Sequence, residues 1–406
     1  MAIFNPEQAM VNVKREFGEH GGVAPSIERS STFSVLEPGT MPKIFQGEKT
    51  PEVGGCYLYS RHFNPTVDVL ARYLAAMDGA EMGICTATGM GAISSAILQI
   101  CKKGSHLVSS NTVYGGTHAF MTEMLPEMGV EATLVDPTDV EAFRKSIKPN
   151  TKMLYTEVMG NPILNIADIR KLSALAKEHG LKLVVDNTFT PVMVSPKMLG
   201  ADMVVYSLTK FINGASDLMG GAILADKEFI FELMDLHTGR VMLLGPSMDS
   251  RVAFDVTQRL PHLPLRMKEH SHRTMAIAKM LKEMGAAVSY PGLTCHPQHE
   301  LLKSMLNEEY GFGGLLTIDA KTPEKANELM SYLQNKENFG YIAVSLGYFD
   351  TLMSCSGSST SSEISEEDQK EMGLSPGLLR ISIGLTGSLD DRLEQMKRAV
   401  EGVGLV

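Results

Sequence analysis

The chain has 406 residues, of which 44% are hydrophobic, so it can bury a large core and more than one domain is expected. Its 37 Lys and Arg residues against 47 Asp and Glu residues give a formal charge of −10, which argues against nucleic acid or an anionic membrane as a partner. The five cysteines lack CxxC spacing, and the N-terminus shows neither a targeting pattern nor a membrane span. We therefore expect a reducing, cytoplasmic environment.

Residues 1–62 predict an extended arm rather than a domain, because Gly, Pro and Ser punctuate them and hydrophobic periodicity is weak. Such an arm must pack against something, and another subunit is one candidate. The first helix of a true domain is predicted at Asn64 and Pro65, which provide an N-cap and a proline at the first helical position. Gly79 is expected to end it.

Between residues 83 and 226, short β-branched runs alternate with helical stretches. Helices such as Asp168 to His179, with Asp168 as the N-cap, supply the crossovers that parallel strands require. This rhythm predicts an α/β domain over residues 63–258 with a mostly parallel sheet. The predicted strands cover residues 106–111, 132–136, 152–158, 182–188, 203–210 and 221–226.

Residues 259–406 predict a smaller α+β domain. It contains a long amphipathic helix from Met267 to Met284, a strand-like run at 341–347 and a closing helix from Leu389 to Glu401. The Ser-rich stretch 354–363 is predicted to be a loop.

A glycine-containing turn is the first candidate for ligand binding. In TATGMGA (86–92), Gly89 and Gly91 precede a helical run through Cys101, and a helix N-terminus offers free backbone N–H groups to a phosphate. The pattern lacks a full GxGxxG fingerprint, so by itself it fits an ordinary tight turn better.

Two polar residues follow apolar strands. Asp186 ends VVDNT, where a carboxylate pairs with a protonated ring nitrogen or simply caps a turn. Lys210 ends another strand beside Ser207 and Thr209, and a partly desolvated amine suits Schiff-base chemistry, whereas an exposed lysine is the alternative. Because Gly89, Asp186 and Lys210 are expected at one sheet edge, the three together favour a cofactor site.

Several separated motifs then share one order with a known family. From about residue 10 to the C-terminus, the chain resembles the Cys/Met-metabolism (trans-sulfuration) family of pyridoxal-phosphate enzymes. The resemblance implies the aspartate-aminotransferase-like fold, PLP-dependent fold type I, with pyridoxal 5′-phosphate (PLP) as cofactor. The motifs are YSRHFNPT (59–66), TGMGA (88–92), VYGGT (113–117), EVMGNP (157–162), VVDNT (184–188), SLTKFING (207–214), YPGL (290–293), SLG (345–347) and LLRISIGL (378–385).

The resemblance also implies a role for individual residues around the cofactor. Lys210 would hold PLP as a Schiff base and later move the Cα proton. Asp186 would hold the ring nitrogen, while Tyr114 would stack on the ring and protonate the leaving group. The residues implied to bind the cofactor phosphate are Gly89, Met90, Ser207 and Thr209, with Tyr59 and Arg61 from a neighbouring subunit.

A small amino acid is the substrate that the resemblance implies. Arg380 would bind its α-carboxylate in bidentate fashion, with Asn161 and Ser345 alongside. Without the resemblance, Arg380 would be interpreted as a surface strand charge. The shared site requires at least a homodimer, and a homotetramer is expected; no metal site is predicted.

Two reactions fit this family. We favour γ-elimination by a C–S lyase, which yields 2-oxobutanoate, ammonia and a thiol; the alternative is a γ-replacement synthase acting on an acylated homoserine. Gly116 stands where methionine γ-lyases typically carry Cys, a departure that bears on methionine specificity, whereas YPGL followed by HPQHELLK (296–303) resembles the methionine-lyase and sulfhydrylase branch. An aminotransferase and a non-catalytic binding protein fit the motifs less well.

Overall fold

A mostly parallel sheet lies at the centre of the molecule. The structure is a computed structural model that describes residues 4–15, 17, 18, 20–49, 55–355 and 373–406. The sheet has the strand order β1-β7-β6-β5-β4-β2-β3, and in the described part of the chain β7 alone runs opposite to the others. The carboxyl ends of the other strands therefore meet at one edge. Its strands are β1 (Met82–Thr86), β2 (His106–Ser110), β3 (Glu131–Val135), β4 (Thr151–Glu157), β5 (Lys182–Asp186), β6 (Met203–Ser207) and β7 (Gly221–Ala225).

Helices cover both faces of this sheet and bury a separate apolar cluster on each. They are α1 (Pro6–Val11), α2 (Thr40–Phe45), α3 (Pro65–Asp78), α4 (Gly89–Ile100), α5 (Gly115–Ala119), α6 (Leu125–Glu127), α7 (Val140–Ser146), α8 (Ile169–Glu178), α9 (Lys227–Leu233), α10 (Arg240–Leu244) and α11 (Ser250–Arg259). A π-helical turn, Phe120–Met124, joins α5 to α6, and 3-10 turns lie at Pro196–Leu199 and Leu260–His262.

Local signals account for the helix ends that the sequence predicts. The Asn64 side chain accepts hydrogen bonds from the backbone N–H groups of Thr66 and Val67, and Gly79 ends α3 with a φ of 73°. Asp168 caps α8 in the same way. Each predicted strand between residues 106 and 226 is present to within a few residues, so the mostly parallel α/β architecture is confirmed.

A second sheet, of five strands in the order β10-β11-β12-β9-β8, forms the C-terminal part. Its strands are β8 (Val288–Ser289), β9 (Leu315–Asp319), β10 (Tyr341–Ile342), β11 (Leu352–Cys355) and β12 (Leu378–Ser382). The helices are α12 (Leu263–Glu283), α13 (His299–Met305), α14 (Pro323–Asn335) and α15 (Leu389–Gly402), with a 3-10 turn at Glu308–Tyr310. Helices α12, α14 and α15 share one buried apolar cluster with the sheet. The long helix and the closing helix are thus confirmed.

The strand predicted at residues 341–347 is wrong beyond its first two residues, because the chain leaves the sheet after Ile342. Gly347 adopts a φ of 75° and packs so closely on the backbone of Phe211 that a side chain would collide. This irregular path brings Ser345 beside Lys210 instead of into a strand. Ser354 and Cys355, the first two residues of the predicted Ser-rich loop, belong to β11 instead. The other residues of that prediction, 356–363, lie outside the described residues.

The N-terminal arm contains α1 and α2 and is otherwise irregular where it is described. The limits 1–62, 63–258 and 259–406 stay a prediction of domain organisation. Among the described residues, no helix combines the length and the apolar character that crossing a membrane needs.

Candidate active site

A cavity of about 330 Å³ opens where the strands of the larger sheet end. It is bounded on the other side by the irregular segment that follows β10 and by β12. The residues lining it are Thr88, Gly89, Met90, Ile93, Tyr114, Glu157, Met159, Asn161, Asp186, Thr188, Phe189, Ser207, Thr209, Lys210, Met219, Val344, Leu346 and Arg380. Most of the predicted site residues therefore meet in one place.

Lys210 extends into this cavity just after β6, and its Nζ atom donates a hydrogen bond to Ser345 Oγ over 3.0 Å. Burial, helped by the positive charge of Arg380, lowers the pKa of Lys210 to about 8. A much larger fraction of the amine is consequently neutral near pH 7 than for an exposed lysine, as nucleophilic attack on a carbonyl requires.

Asp186 ends β5 and is 5% exposed. Its Oδ1 atom accepts hydrogen bonds from the backbone N–H of Thr188 over 2.9 Å and from the Thr188 hydroxyl over 2.6 Å. Burial raises the pKa of Asp186 to about 6, while the Thr188 bonds act in the opposite direction. Because this pKa lies close to neutral pH, a cationic partner beside the carboxyl would complete its ionisation.

The N-terminus of α4 faces the same cavity. Thr88 caps this helix by accepting a hydrogen bond from the Gly91 N–H over 2.9 Å. A Cβ atom at Gly89 would lie 2.8 Å from Ser207 Cβ, so only glycine lets the helix approach β6 this closely. The hydroxyls of Ser207 and Thr209, with the helix N-terminus, form a neutral cradle that suits a phosphate.

Arg380 lies in the middle of β12 and is 3% exposed, so the interpretation from sequence alone as a surface charge is wrong. Its Nη1 atom donates to Asn161 Oδ1 over 2.8 Å, and Nη2 donates to the Ser345 carbonyl over 3.2 Å. Burial lowers the pKa of Arg380 to about 10. A guanidinium that lines a cavity with neutral partners is suited to binding a carboxylate.

Tyr114 caps α5 at the mouth of the cavity and is 46% exposed. Its ring lies over Gly116, where a Cβ atom would approach Tyr114 Cε1 to 2.7 Å. The glycine therefore allows a ring position that any larger residue at 116 would disturb.

Glu157 is the main site residue that the sequence analysis missed. It ends β4 opposite Asp186, and its Oε1 atom accepts a hydrogen bond from the Tyr114 N–H over 2.7 Å. Burial and the neighbouring Asp186 raise the pKa of Glu157 well above its usual range. Its position at the end of an apolar run in EVMGNP, like that of Asp186 in VVDNT, was the available signal.

Tyr59 and Arg61 are not among the residues that line the cavity of their own chain. The Arg61 guanidinium lies 5.4 Å from the Tyr59 ring, and its Nη1 atom donates to the Met242 carbonyl over 2.8 Å. These two residues are thus the ones that the structure of a single chain does not bring to the site.

Comparison with known proteins agrees with this geometry. The family model described as Cys/Met metabolism PLP-dependent enzyme matches residues 7–401. The chain belongs to this family. It is 51% identical to methionine gamma-lyase of Arabidopsis thaliana, over 97% of this chain and 90% of that protein, and 36% identical to cystathionine gamma-lyase of Bacillus subtilis, over 95% and 98%.

Solved structures show that the family's fold is present as well. A putative O-acetylhomoserine (thiol)-lyase of Campylobacter jejuni, whose structure contains a pyridoxyl-lysine phosphate, has a TM-score of 0.88 at 28% identity and covers 98% of this chain and 100% of its own. Cystathionine gamma synthase of Xanthomonas oryzae also scores 0.88, at 29% identity, with 99% of both chains covered. The chain is a fold type I enzyme that depends on PLP.

The residues of the cavity fit this cofactor. A lysine with a lowered pKa, a carboxylate and a phosphate cradle line the same cavity, as the aldehyde, ring nitrogen and phosphate of PLP require. Within the described ranges, no group of three or more His, Cys, Asp or Glu side chains is arranged to hold a metal ion.

The depressed pKa of Lys210 predicts how the apoenzyme captures PLP. The rate should rise with pH through about 8, because the amine must lose its proton before it attacks. Arg380→Met should move this midpoint upward, because it removes the positive charge that lowers the lysine pKa. Stopped-flow absorbance measures the rate, with Arg398→Met, which alters an exposed arginine on α15, as the control. A wild-type midpoint near the ordinary lysine value of 10.5 would contradict the prediction.

Proposed function

We propose that this enzyme eliminates a thiol from Cγ of a sulfur amino acid, giving 2-oxobutanoate, ammonia and the thiol, as a C–S lyase of the methionine γ-lyase type. The observation that carries the proposal is the largely apolar cavity in which Lys210, Asp186 and Arg380 converge. The 51% identity to methionine gamma-lyase of Arabidopsis thaliana over nearly the whole chain supports it.

The polar groups at one end of the cavity are assigned to the cofactor. Lys210 anchors it covalently and Asp186 holds its ring nitrogen, while Gly89, Met90, Ser207 and Thr209 surround its phosphate. When bound, PLP withdraws electrons from the substrate Cα and thereby acidifies the Cα proton.

The substrate is assigned to the other polar groups. The Arg380 guanidinium binds the α-carboxylate, and Asn161 and Ser345, which already contact Arg380, fix its orientation. The Lys210 Nζ atom, which lies within hydrogen-bond distance of Ser345 Oγ, would accept the Cα proton. A further proton is lost from Cβ, and the electron pair of that C–H bond expels the sulfur from Cγ while Tyr114 at the mouth donates a proton to it. The unsaturated amino acid that remains takes up water to give 2-oxobutanoate and ammonia.

The cavity walls favour a substrate with an uncharged side chain. Ile93, Met159, Phe189, Met219, Val344 and Leu346 supply apolar surface. Of the ionisable groups that line this chain's part of the cavity, Lys210, Asp186 and Arg380 are assigned to the cofactor or to the α-carboxylate. The fourth, Glu157, accepts from the Tyr114 N–H, and burial raises its pKa and so favours its neutral form. The second ammonium and carboxylate of cystathionine would therefore find no charged partner there. A methyl thioether such as methionine fits better.

A second subunit is required by this assignment. We assign Tyr59 and Arg61 to the phosphate site of a neighbouring copy, because neither residue lines the cavity of its own chain. Tyr59, Leu243 and Leu244 are 42%, 49% and 56% exposed, an apolar surface that a partner would cover. A homodimer is the minimum assembly and a pair of dimers the expected one. The five cysteines form no disulfide with one another, which suits the cytoplasm as the location.

Product analysis distinguishes the lyase from a synthase. The holoenzyme should release 2-oxobutanoate from L-methionine, and added sulfide should change the yield little, because elimination needs no incoming nucleophile. The assay compares L-methionine, L-cystathionine and O-acetyl-L-homoserine, each with and without sulfide. Turnover confined to the acyl ester and diverted by sulfide to homocysteine would establish the γ-replacement reaction instead.

Complementation between two inactive variants tests the shared site. Lys210→Ala and Arg61→Ala should each be nearly inactive alone, yet co-expression should recover about a quarter of wild-type activity, because each hybrid dimer contains one site with both residues intact. Activity of the purified mixture is compared with that of the two variants prepared separately and mixed without subunit exchange. Co-expressed chains no more active than this mixture would show that Arg61 serves its own chain.

A further inference from the structure

Tyr155 lies directly behind the cofactor site without lining it. It belongs to β4, beside β5 in the sheet, and is fully buried. Its hydroxyl donates a hydrogen bond to Asp186 Oδ2 over 3.4 Å. Thr117 of α5, the helix that Tyr114 caps, is also close enough to influence the Tyr155 hydroxyl.

The two oxygen atoms of Asp186 have different surroundings. Oδ1 accepts both hydrogen bonds from Thr188, whereas Tyr155 is the donor to Oδ2 among the described residues. Oδ2 therefore has free acceptor capacity and is the atom available to a ring N–H. The hydrogen bond from the Tyr155 hydroxyl restricts the direction in which Oδ2 points.

The groups around Asp186 decide whether its carboxyl stays ionised, and a hydrogen-bond donor favours the ionised form. Glu157 lies opposite it in the β4–β5 register, and Lys210 and Arg380 line the same cavity. From β6, the Tyr206 hydroxyl is already engaged with the buried Asp78. Burial favours protonation of Asp186, so hydrogen bonds to its ionised form must oppose this effect.

We propose that Tyr155 is a positioning residue that keeps Asp186 ionised and aims its Oδ2 atom at the ring nitrogen of PLP. The inference rests on the role of Asp186 proposed above. Tyr155 itself touches neither cofactor nor substrate; it acts through the carboxylate.

Two substitutions of opposite effect test the proposal. Tyr155→Phe removes the donor, so protonation of Asp186 should occur at higher pH. Site-specific 3-fluorotyrosine at position 155 makes the phenol more acidic and a stronger donor, so protonation should occur at lower pH. The readout is the dissociation constant of PLP from the apoenzyme, measured by equilibrium dialysis across pH. The midpoint of the acidic loss of affinity should move up by about 0.5 to 1 unit for phenylalanine and down for fluorotyrosine.

Tyr290→Phe is the matched control, because it removes another fully buried phenol hydroxyl, which donates to the Gly313 carbonyl over 2.9 Å in the C-terminal part. This variant should leave the midpoint in place. A purely structural role for Tyr155 would weaken PLP binding at every pH without moving the midpoint, or would move it the same way in both substituted proteins. Either result would overturn the proposal.

A further variant, Asp186→Asn, distinguishes the role of Tyr155 from the role of Asp186 itself. This variant should lose the part of the pH dependence that belongs to the carboxyl and retain that of Lys210 and of PLP itself. An unchanged profile in Asp186→Asn would refute the role of Asp186. A changed profile in that variant, with no shift in Tyr155→Phe or in the fluorotyrosine protein, would refute the role of Tyr155 alone.

Discussion

The burial of ionisable groups at one edge of the sheet is the constraint on which the site depends. Burial raises the pKa values of Glu157 and Asp186 and lowers those of Lys210 and Arg380, so all four groups are shifted towards their neutral forms. The protein alone leaves these charges incompletely compensated. A ligand that brings a protonated ring nitrogen and a carboxylate supplies what is missing, and a lysine held partly neutral is ready to react with it.

The topology of the sheet explains why these groups meet. Because all described strands of the larger sheet except β7 run in one direction, the turns after β1, β4, β5 and β6 open on the same edge. The C-terminal sheet then contributes Arg380 from its β12 strand, together with Ser345 from the segment after β10. Neither part holds the complete site, so the contact between them positions the substrate groups relative to the cofactor groups.

Local sequence signals predicted much of the fold. The caps at Asn64 and Asp168 and the apolar runs located helices and strands to within a few residues, since these features depend on neighbours in the chain. The run at 341–347 has strand-like composition, but the contact of Gly347 with Phe211 overrides it. Such long-range packing cannot be read from local propensity.

For the site, the sequence analysis indicated some residues and missed others. Asp186 and Lys210 could be located because the first ends an apolar strand and the second follows one closely, but Arg380 resembled a surface charge until the family resemblance indicated otherwise. Glu157 and Tyr155 were missed, because their importance lies in contacts across strands, to the Tyr114 N–H and to Asp186 Oδ2. Residues that act through a neighbour have no motif of their own.

Covalent attachment of PLP to Lys210 is the central claim, and chemical trapping tests it most directly. Borohydride reduction of the holoenzyme, followed by proteolysis and mass spectrometry, fixes the cofactor to the residue that carries it. The account predicts a phosphopyridoxyl group on the peptide that contains Lys210, and none on that peptide in Lys210→Ala. A label on another lysine, or a reduced protein without any label, would contradict it.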